Sequence, residues 1–272
     1  MTGHGVQDKL HHLQTIVAGL KSVVVALSGG VDSTLVFKVA HEALGSQALG
    51  VTAVSPTFAT TEREWTRRLV AEIAKEIGAA HRFVDTDQLL LPDFVRNDRQ
   101  RCYHCRTDLY GLLKQVQTEN RMAAIVDGTN LDDLSDDRPG LTAAREYGVR
   151  SPLVDAGLTK AEVRELARRL GLSNWAKPAA PCLSSRIPRG IPITVASLSR
   201  VERAEQWLRE EGFVQFRIRA HDSMARIELD EAGFARVGDR HRRQRLVAAL
   251  KQLDFKTVTL DLEGYRQGGG NS

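Results

Sequence analysis

This sequence predicts an α/β fold: a doubly wound parallel sheet followed by a second, smaller α/β domain. Three observations carry that expectation. Short apolar runs alternate with helix-patterned stretches through the first two thirds of the chain. The first such run opens directly into a Ser/Gly-rich loop and then a helix, the order of a strand–loop–helix unit. The composition then changes across residues 184–192, where two prolines and a glycine interrupt the pattern.

Residues 23–27 (VVVAL) form a continuous apolar run too short for a helix, the pattern of a buried strand. Residues 49–55, 82–84 and 123–127 read as further strands, with helices expected at 33–44, 62–77 and 103–119. Another helix at 160–170 follows Thr159, whose hydroxyl suits an N-cap, and stops at Gly171, a residue suited to a helix end. Past the break, 194–211 reads as a helix and 214–219 and 225–229 as strands. A second helix at 238–253 and a last strand at 257–262 complete the small domain. The expected division is therefore residues 1–186 and 187–272, with Gly-rich 268–272 as a loose tail.

Composition narrows the class. The chain has 272 residues, room for one large domain or two smaller ones. No apolar run approaches a membrane span, and residues 1–20 lack the apolar core of a signal peptide. A cytoplasmic protein with no membrane partner is the expectation. The net charge of +4 suits a polyanionic ligand, and a small phosphorylated molecule accounts for so mild an excess as well as nucleic acid does. Three cysteines in an intracellular chain argue against a disulfide framework and towards metal or catalytic work.

Ser28-Gly29-Gly30-Val31-Asp32-Ser33, behind the first strand, has the makings of a phosphate site. Glycines let the backbone approach an anion, amide N–H groups point into the loop, and the following helix presents its positive end. A Walker A loop would carry a lysine here; this loop carries Asp32, suited to holding magnesium against phosphates. A Gly-Gly turn without a ligand is the plain alternative.

Cys102 and Cys105 form a Cys-x-x-Cys pair at the expected start of a helix, a spacing shared by zinc, iron–sulfur and redox sites. Cys182 is the third cysteine. Three thiolates with an open fourth position suit a four-iron cluster that binds an exogenous sulfide or substrate. A catalytic Cys182 beside a structural pair, a zinc site, a disulfide and ordinary core thiols stay open as alternatives.

SGGVDS at a strand-to-helix junction resembles the PP-loop of ATP pyrophosphatases, enzymes with the adenine nucleotide alpha hydrolase-like fold that adenylate a carbonyl or carboxylate. Further stretches narrow the likeness: DGTNLDD (127–133), DDRPGLTAAREYGVRSPL (136–153), LTKAEVRELARRLGLSNWAKPAAPCLSSRIPRG (158–190) and FRIRAHDSMARIEL (216–229). With these, nearly the whole chain resembles the ATP-dependent sulfurtransferases that mature the nickel-pincer nucleotide cofactor of lactate racemase. The resemblance implies a PP-loop domain followed by a small substrate and sulfur-transfer domain. It implies adenylation of a pyridinium dicarboxylic acid mononucleotide with release of pyrophosphate, then displacement of AMP by sulfur to leave a thiocarboxylate. ATP and Mg2+ are the implied cofactors. A nucleotide substrate, a sulfide source, a downstream nickel-insertion protein and a second copy of the chain are the implied partners, with nucleic acid not expected.

Sulfur arrives by two routes in that family. Some members sacrifice a cysteine near residues 180–183, which becomes dehydroalanine; others use a three-cysteine four-iron cluster. Sacrificial members carry their cysteine one position earlier, where this chain has Pro181, and lack the Cys-x-x-Cys. That departure favours a [4Fe-4S] cluster on Cys102, Cys105 and Cys182, with sacrifice of Cys182 or a tRNA-thiolating activity as alternatives.

Roles follow residue by residue. Ser28, Gly29, Gly30, Asp32 and Ser33 are expected at the ATP phosphates, Asp32 also at magnesium. Ser55 and Gly128–Thr129 lie at strand ends, where adenine or ribose would sit; an ordinary loop role serves equally well. Arg186 follows the sulfur-bearing loop and suits the adenylate or AMP, against a surface arginine. Arg217 and Arg219 alternate on a strand and so share a face. A solvated face is the plain reading of that pair, and the resemblance tips it to a clamp for a nucleotide phosphate. Glu205, in the preceding helix, is a candidate for metal or substrate. The basic run 240–245 reads as a solvated helix face.

Overall fold

The computed structural model describes residues 3–55, 57, 60–135, 139–177 and 182–266. The expected tail therefore lies outside the described residues, as do Pro181 and residues 178–180. The chain divides into two units. One comprises Met1–Ser55, Thr61–Thr86 and Cys102–Ala180; the other comprises Pro56–Thr60, Asp87–Arg101 and Pro181–Ser272. No described helix is long and apolar enough to cross a membrane.

The chain begins α1 (Gly3–Gly19), β1 (Val23–Ala26), α2 (Val31–Leu44), β2 (Ala48–Val54), α3 (Thr60–Ile77) and β3 (Ala80–Asp85). It continues with α4 (Pro92–Val95), α5 (Arg101–Glu119), β4 (Ala124–Val126), α6 (Pro139–Glu146), α7 (Pro152–Asp155) and α8 (Lys160–Arg169). Last come α9 (Val195–Glu210), β5 (Phe216–His221), β6 (Met224–Leu229), α10 (Glu231–Gly238), α11 (Arg240–Gln252) and β7 (Thr257–Leu260).

The first unit holds a four-stranded parallel sheet in the order β3-β2-β1-β4. From β1 the chain winds outward through β2 and β3, then returns to place β4 on the other side of β1. The direction of winding reverses between β1 and β4, and in open α/β sheets ligands bind outside the carboxyl ends of the strands at such a point. The SGGVDS loop follows β1 and residues 127–130 follow β4, so both segments lie there.

Helix α1 was not among the expected elements. Its apolar residues Val6, Leu10, Leu13 and Val17 recur every three or four positions, and all four are buried in one core with Val23, Val25 and α2. Helix α8 starts on a capping box: Thr159 accepts from the Glu162 amide while the Glu162 carboxylate accepts from the Thr159 amide. Gly171 then takes φ +71°, a left-handed value that glycine adopts without strain.

Stability near the sheet is tied to pH through His81 on β3. The Thr52 hydroxyl donates to the Leu27 carbonyl (2.6 Å), so it accepts from Nε2 of His81 (2.9 Å). Burial pulls the His81 imidazole down from 6.5 to about 4. Below pH 6.5 the unfolded chain takes up a proton that the folded imidazole refuses. The stability from burying neutral His81 is therefore intact above pH 6.5 and lost as pH falls towards 4. Thermal melts across that range should fall less steeply for His81→Gln than for the wild type; equal slopes would remove His81 from the account.

The second unit carries a three-stranded sheet, β5-β6-β7, in which β5 and β6 are antiparallel and β6 and β7 parallel. Ile218, Ala220, Ala225, Ile227 and Leu229 make one face, buried and apolar; Arg217, Arg219, Arg226 and Glu228 make the other. The helix expected at 238–253 is α11, which begins two residues later; α10, just before it, was not among the expected elements. Asp239 separates the two in an extended conformation, and its carboxylate caps α11 by accepting from the Arg242 amide.

Candidate active site

The loop after β1 is ordered by its own side chains. Ser33 Oγ accepts from the Ser28 amide and donates to the Gly30 carbonyl, both at 3.1 Å. Ser28 Oγ lies 3.1 Å from Ser33 Oγ and accepts from the Gly30 amide at 3.3 Å. Gly29 sits at φ +74°, and a Cβ there would also press on Thr66 and Val70 of α3. Two hydroxyls and the amides of Ser28 and Gly30 thus converge at the positive end of α2, donors suited to an oligophosphate.

Asp32 lies in the first turn of α2, and the structure surrounds its carboxylate with donors. Asn130 Nδ2 reaches Oδ1 at 3.1 Å, and the Lys160 ammonium pairs with Oδ2. Lys160 opens α8, where the helix dipole disfavours a cation; the pairing with Asp32 offsets that cost. The carboxylate offers the hard oxygen that Mg2+ prefers, so Asp32 fits the expected ion.

Gly128 explains how closely the two strand-end loops pack. A Cβ at this position would stand 2.6 Å from the Ser33 amide nitrogen and 2.9 Å from its Cα. Only glycine lets the segment after β4 lie against the start of α2. Thr129 beside it is buried, with its hydroxyl donating to Asp127 (2.8 Å) and its amide also bound there (3.1 Å). Asp127 in turn accepts from Ser151 Oγ (2.8 Å) and the Tyr110 hydroxyl (3.1 Å). Burial, over the opposing pull of Arg106 and with help from Asp127, raises the Tyr110 phenol, which stays a neutral donor. Asp127 therefore fixes the Gly128–Thr129 turn from beneath. Ser55 is buried just beyond β2, at the same end of the sheet.

Cys102 and Cys105 occupy the first turn of α5, one helical turn apart, and neither forms a disulfide; Cys102 is exposed. Arg106 follows them and donates to the Tyr110 hydroxyl (2.8 Å), joining this turn to the Asp127 network. Among the described residues no group of three or more His, Cys, Asp or Glu side chains is gathered to hold a metal. Cys102 and Cys105 keep the Cys-x-x-Cys spacing on the first turn of α5, Cys102 exposed and Cys105 half-buried.

In the second unit Cys182 is the N-cap of a short 3-10 turn, Leu183–Arg186, whose carbonyls are gripped by three arginines. Arg186 donates to the Cys182 carbonyl (3.2 Å), Arg101 to that of Ser184 (2.8 Å) and Arg219 to that of Ser185 (2.7 Å). Two of these arginines are buried against bidentate carboxylates. Arg186 meets Glu205 at 2.8 and 3.0 Å, and Arg219 meets Glu228 at 2.8 and 3.2 Å. Glu205, 1% exposed, is committed to Arg186 and the Ile218 amide (3.3 Å). Arg217 shares the face of Arg219 and donates to the Tyr265 hydroxyl (2.9 Å). The charged face of the small sheet therefore anchors the backbone around Cys182.

Comparison with known proteins agrees with this geometry. The model of the NAD synthase family matches residues 6–96, the span that contains the SGGVDS loop. The chain is 42% identical to protein slr1717 of Synechocystis over 97% of both chains. It is 40% identical to the pyridinium-3,5-bisthiocarboxylic acid mononucleotide synthase of Lactiplantibacillus plantarum, over 94% of this chain and 92% of that one. The chain belongs to this synthase family. A more distant likeness, 28% identity over 57% of this chain and 41% of the other, joins it to a probable tRNA sulfurtransferase of Methanothermobacter thermautotrophicus.

As a member of the synthase family the protein is an ATP-dependent sulfurtransferase of the PP-loop type. Asn130, Lys160 and Asn174 were not among the residues singled out from sequence, yet each binds the PP-loop or the first turns of α2. Lys160 carried a legible signal, a cation at the first position of a capped helix. Asn130 lies in the 127–133 stretch noted at a strand end, though with no role of its own assigned, and Asn174, a common polar residue in a turn, carried no signal. Arg101 was likewise unmarked, being one of many arginines.

Proposed function

We propose that this sulfurtransferase activates a carboxylate of a pyridinium dicarboxylic acid mononucleotide with ATP and replaces the activated oxygen by sulfur. A carboxylate oxygen attacks the α-phosphorus, the α–β anhydride bond breaks, and pyrophosphate leaves. A sulfur nucleophile then adds to the acyl carbon of the adenylate. The acyl–oxygen bond breaks, AMP departs with that oxygen, and a thiocarboxylate remains; a second round gives the bis-thiocarboxylate. The carrying observation is the self-ordered Ser28–Ser33 loop at the sheet's switch point, with Asp32 between Asn130 and Lys160. The activity for which the L. plantarum relative is named supports the substrate.

In this reading the Ser28, Gly29, Gly30 and Ser33 donors bind the oligophosphate. Asp32 would hold Mg2+, which when bound offsets phosphate charge. Ser55, Gly128 and Thr129 border the adenosine. Arg217 would offer its guanidinium to the substrate phosphate, while Arg219, paired with Glu228, and Arg186, backed by Glu205, set the backbone at Cys182.

Sulfur delivery through a [4Fe-4S] cluster on Cys102, Cys105 and Cys182 is part of the proposal, supported by the Cys-x-x-Cys pair and the position of Cys182. Anaerobic preparations should hold about four irons and matching acid-labile sulfide per chain, lost in each of Cys102→Ala, Cys105→Ala and Cys182→Ala. Cys182→Ala should still release pyrophosphate while forming no thiocarboxylate. An iron-free protein that consumes ATP and loses one sulfur mass from Cys182 would replace the cluster by sacrificial donation. The likeness to a tRNA sulfurtransferase keeps a second reading, thiolation of a tRNA base. Tight, strongly salt-dependent tRNA binding would favour it.

A further inference from the structure

One buried side chain in the first unit reaches the PP-loop from the turn after α8. Asn174, 3% exposed, donates through Nδ2 to the Gly29 carbonyl (3.1 Å) and to Thr34 Oγ1 (2.9 Å). Its own Oδ1 is buried and has no hydrogen-bond partner among the described residues. The partners decide the amide's orientation, because the reverse would set Oδ1 against the Gly29 carbonyl oxygen. An unpaired buried acceptor is costly, and a leucine of similar volume would avoid it. What Asn174 achieves in exchange is one hydrogen bond to the carbonyl of Gly29, in a loop of unusual backbone, and one to Thr34 in the first turn of α2.

The consequence lies in one peptide unit. In a planar trans peptide the C=O and the following N–H point in opposite directions. With the Gly29 carbonyl held by Asn174, the Gly30 N–H is turned the other way, into the loop, where Ser28 Oγ now accepts it at 3.3 Å. Gly29, at φ +74°, has no side chain to hold this plane by itself. The turn that carries Asn174 is secured in turn by Arg164, which donates to the carbonyls of Trp175 (2.7 Å) and Lys177 (2.9 Å).

We propose that Asn174 is a positioning residue for oligophosphate recognition: it holds the Gly29 carbonyl so that the Gly30 N–H faces the bound phosphates. The inference rests on the reading of this loop as the ATP phosphate site and adds the residue that sets its donor direction. Loss of Asn174 lets the Gly29–Gly30 peptide rotate, which weakens ligands that fill the loop and spares those that do not.

Calorimetric titration of the full chain with Mg·ATP, pyrophosphate and AMP tests this. Asn174→Ala should weaken ATP and pyrophosphate about tenfold, the loss of one charge-assisted hydrogen bond, while AMP changes less than about twofold. Arg164→Ala, at the outer side of the turn, should shift the ATP-to-AMP ratio in the same direction by a smaller factor, and it serves if Asn174→Ala does not fold. Equal weakening of ATP and AMP in either variant would mark a merely structural role and overturn the proposal, as would unchanged ATP binding in Asn174→Ala. Failure of the wild type to prefer ATP to AMP would instead remove the phosphate-site reading beneath it.

Discussion

Asp32→Asn should lower ATP-dependent pyrophosphate release by about a thousandfold, comparable to removing one preorganised electrostatic group from a reacting site. The substitution keeps size and shape, so the Asn130 hydrogen bond (3.1 Å) has a substitute acceptor. It removes the charge that partners Lys160 and the oxygen suited to Mg2+. The fold should scarcely notice. The Asp32 and Lys160 side chains are 18% and 35% exposed, and a pair so close to solvent contributes about 1 kcal/mol or less. A melting temperature within a few degrees of wild type beside near-total loss of pyrophosphate release is the expected pattern. Activity within about tenfold of wild type would show that Asp32 only caps the turn.

Glu205→Ala should have the largest effect on stability, about 3–5 kcal/mol, by leaving a buried guanidinium without its counter-charge. The side chains of Arg186 and Glu205 are 9% and 2% exposed, and they meet through two parallel hydrogen bonds. Arg209, 3.7 Å from Glu205 and half exposed, cannot take up the lost role because it is also a cation. Arg186 holds the Cys182 carbonyl as well, so its loosening should reach the sulfur-bearing turn. Urea unfolding should show the loss, and a thiol reagent should label Cys182 faster under native conditions. Glu205→Gln, which keeps an acceptor but no charge, should fall between. A change under about 1 kcal/mol for Glu205→Ala would mean that the pair is not the counter-charge it resembles.

What could be read from sequence was local. The SGGVDS loop, its strand and its helix are contiguous, and glycine at φ +74° and serines that close on one another act within six residues. The parallel sheet followed from apolar runs of strand length. Boundaries shifted where one polar residue decided them, as at Asp239, which ends one helix and caps the next. Helix α1 was legible too, since the spacing of Val6, Leu10, Leu13 and Val17 is that of an amphipathic helix.

The residues that hold the site in register lie far from it in the chain. Asn130 stands 98 positions from Asp32, Lys160 stands 128, and Asn174 stands 145 from Gly29. Such pairings depend on which loops the sheet order brings to one edge, and no window of sequence contains that order. The same holds for Arg217 and Arg219. Alternation placed them on one face, but only the pairing of β5 with β6 put Glu228 beside Arg219. Buried charge of this kind reads in sequence as an ordinary solvated strand.

The most direct test of the central claim follows the oxygen. With 18O in the carboxylates of the pyridinium dicarboxylic acid mononucleotide, each sulfur installed should leave one 18O in the AMP released and none in the pyrophosphate. That outcome requires carboxylate attack on the α-phosphorus followed by sulfur attack on the acyl carbon. Unlabelled AMP, or ADP as the nucleotide product, would contradict carboxylate adenylation at this loop.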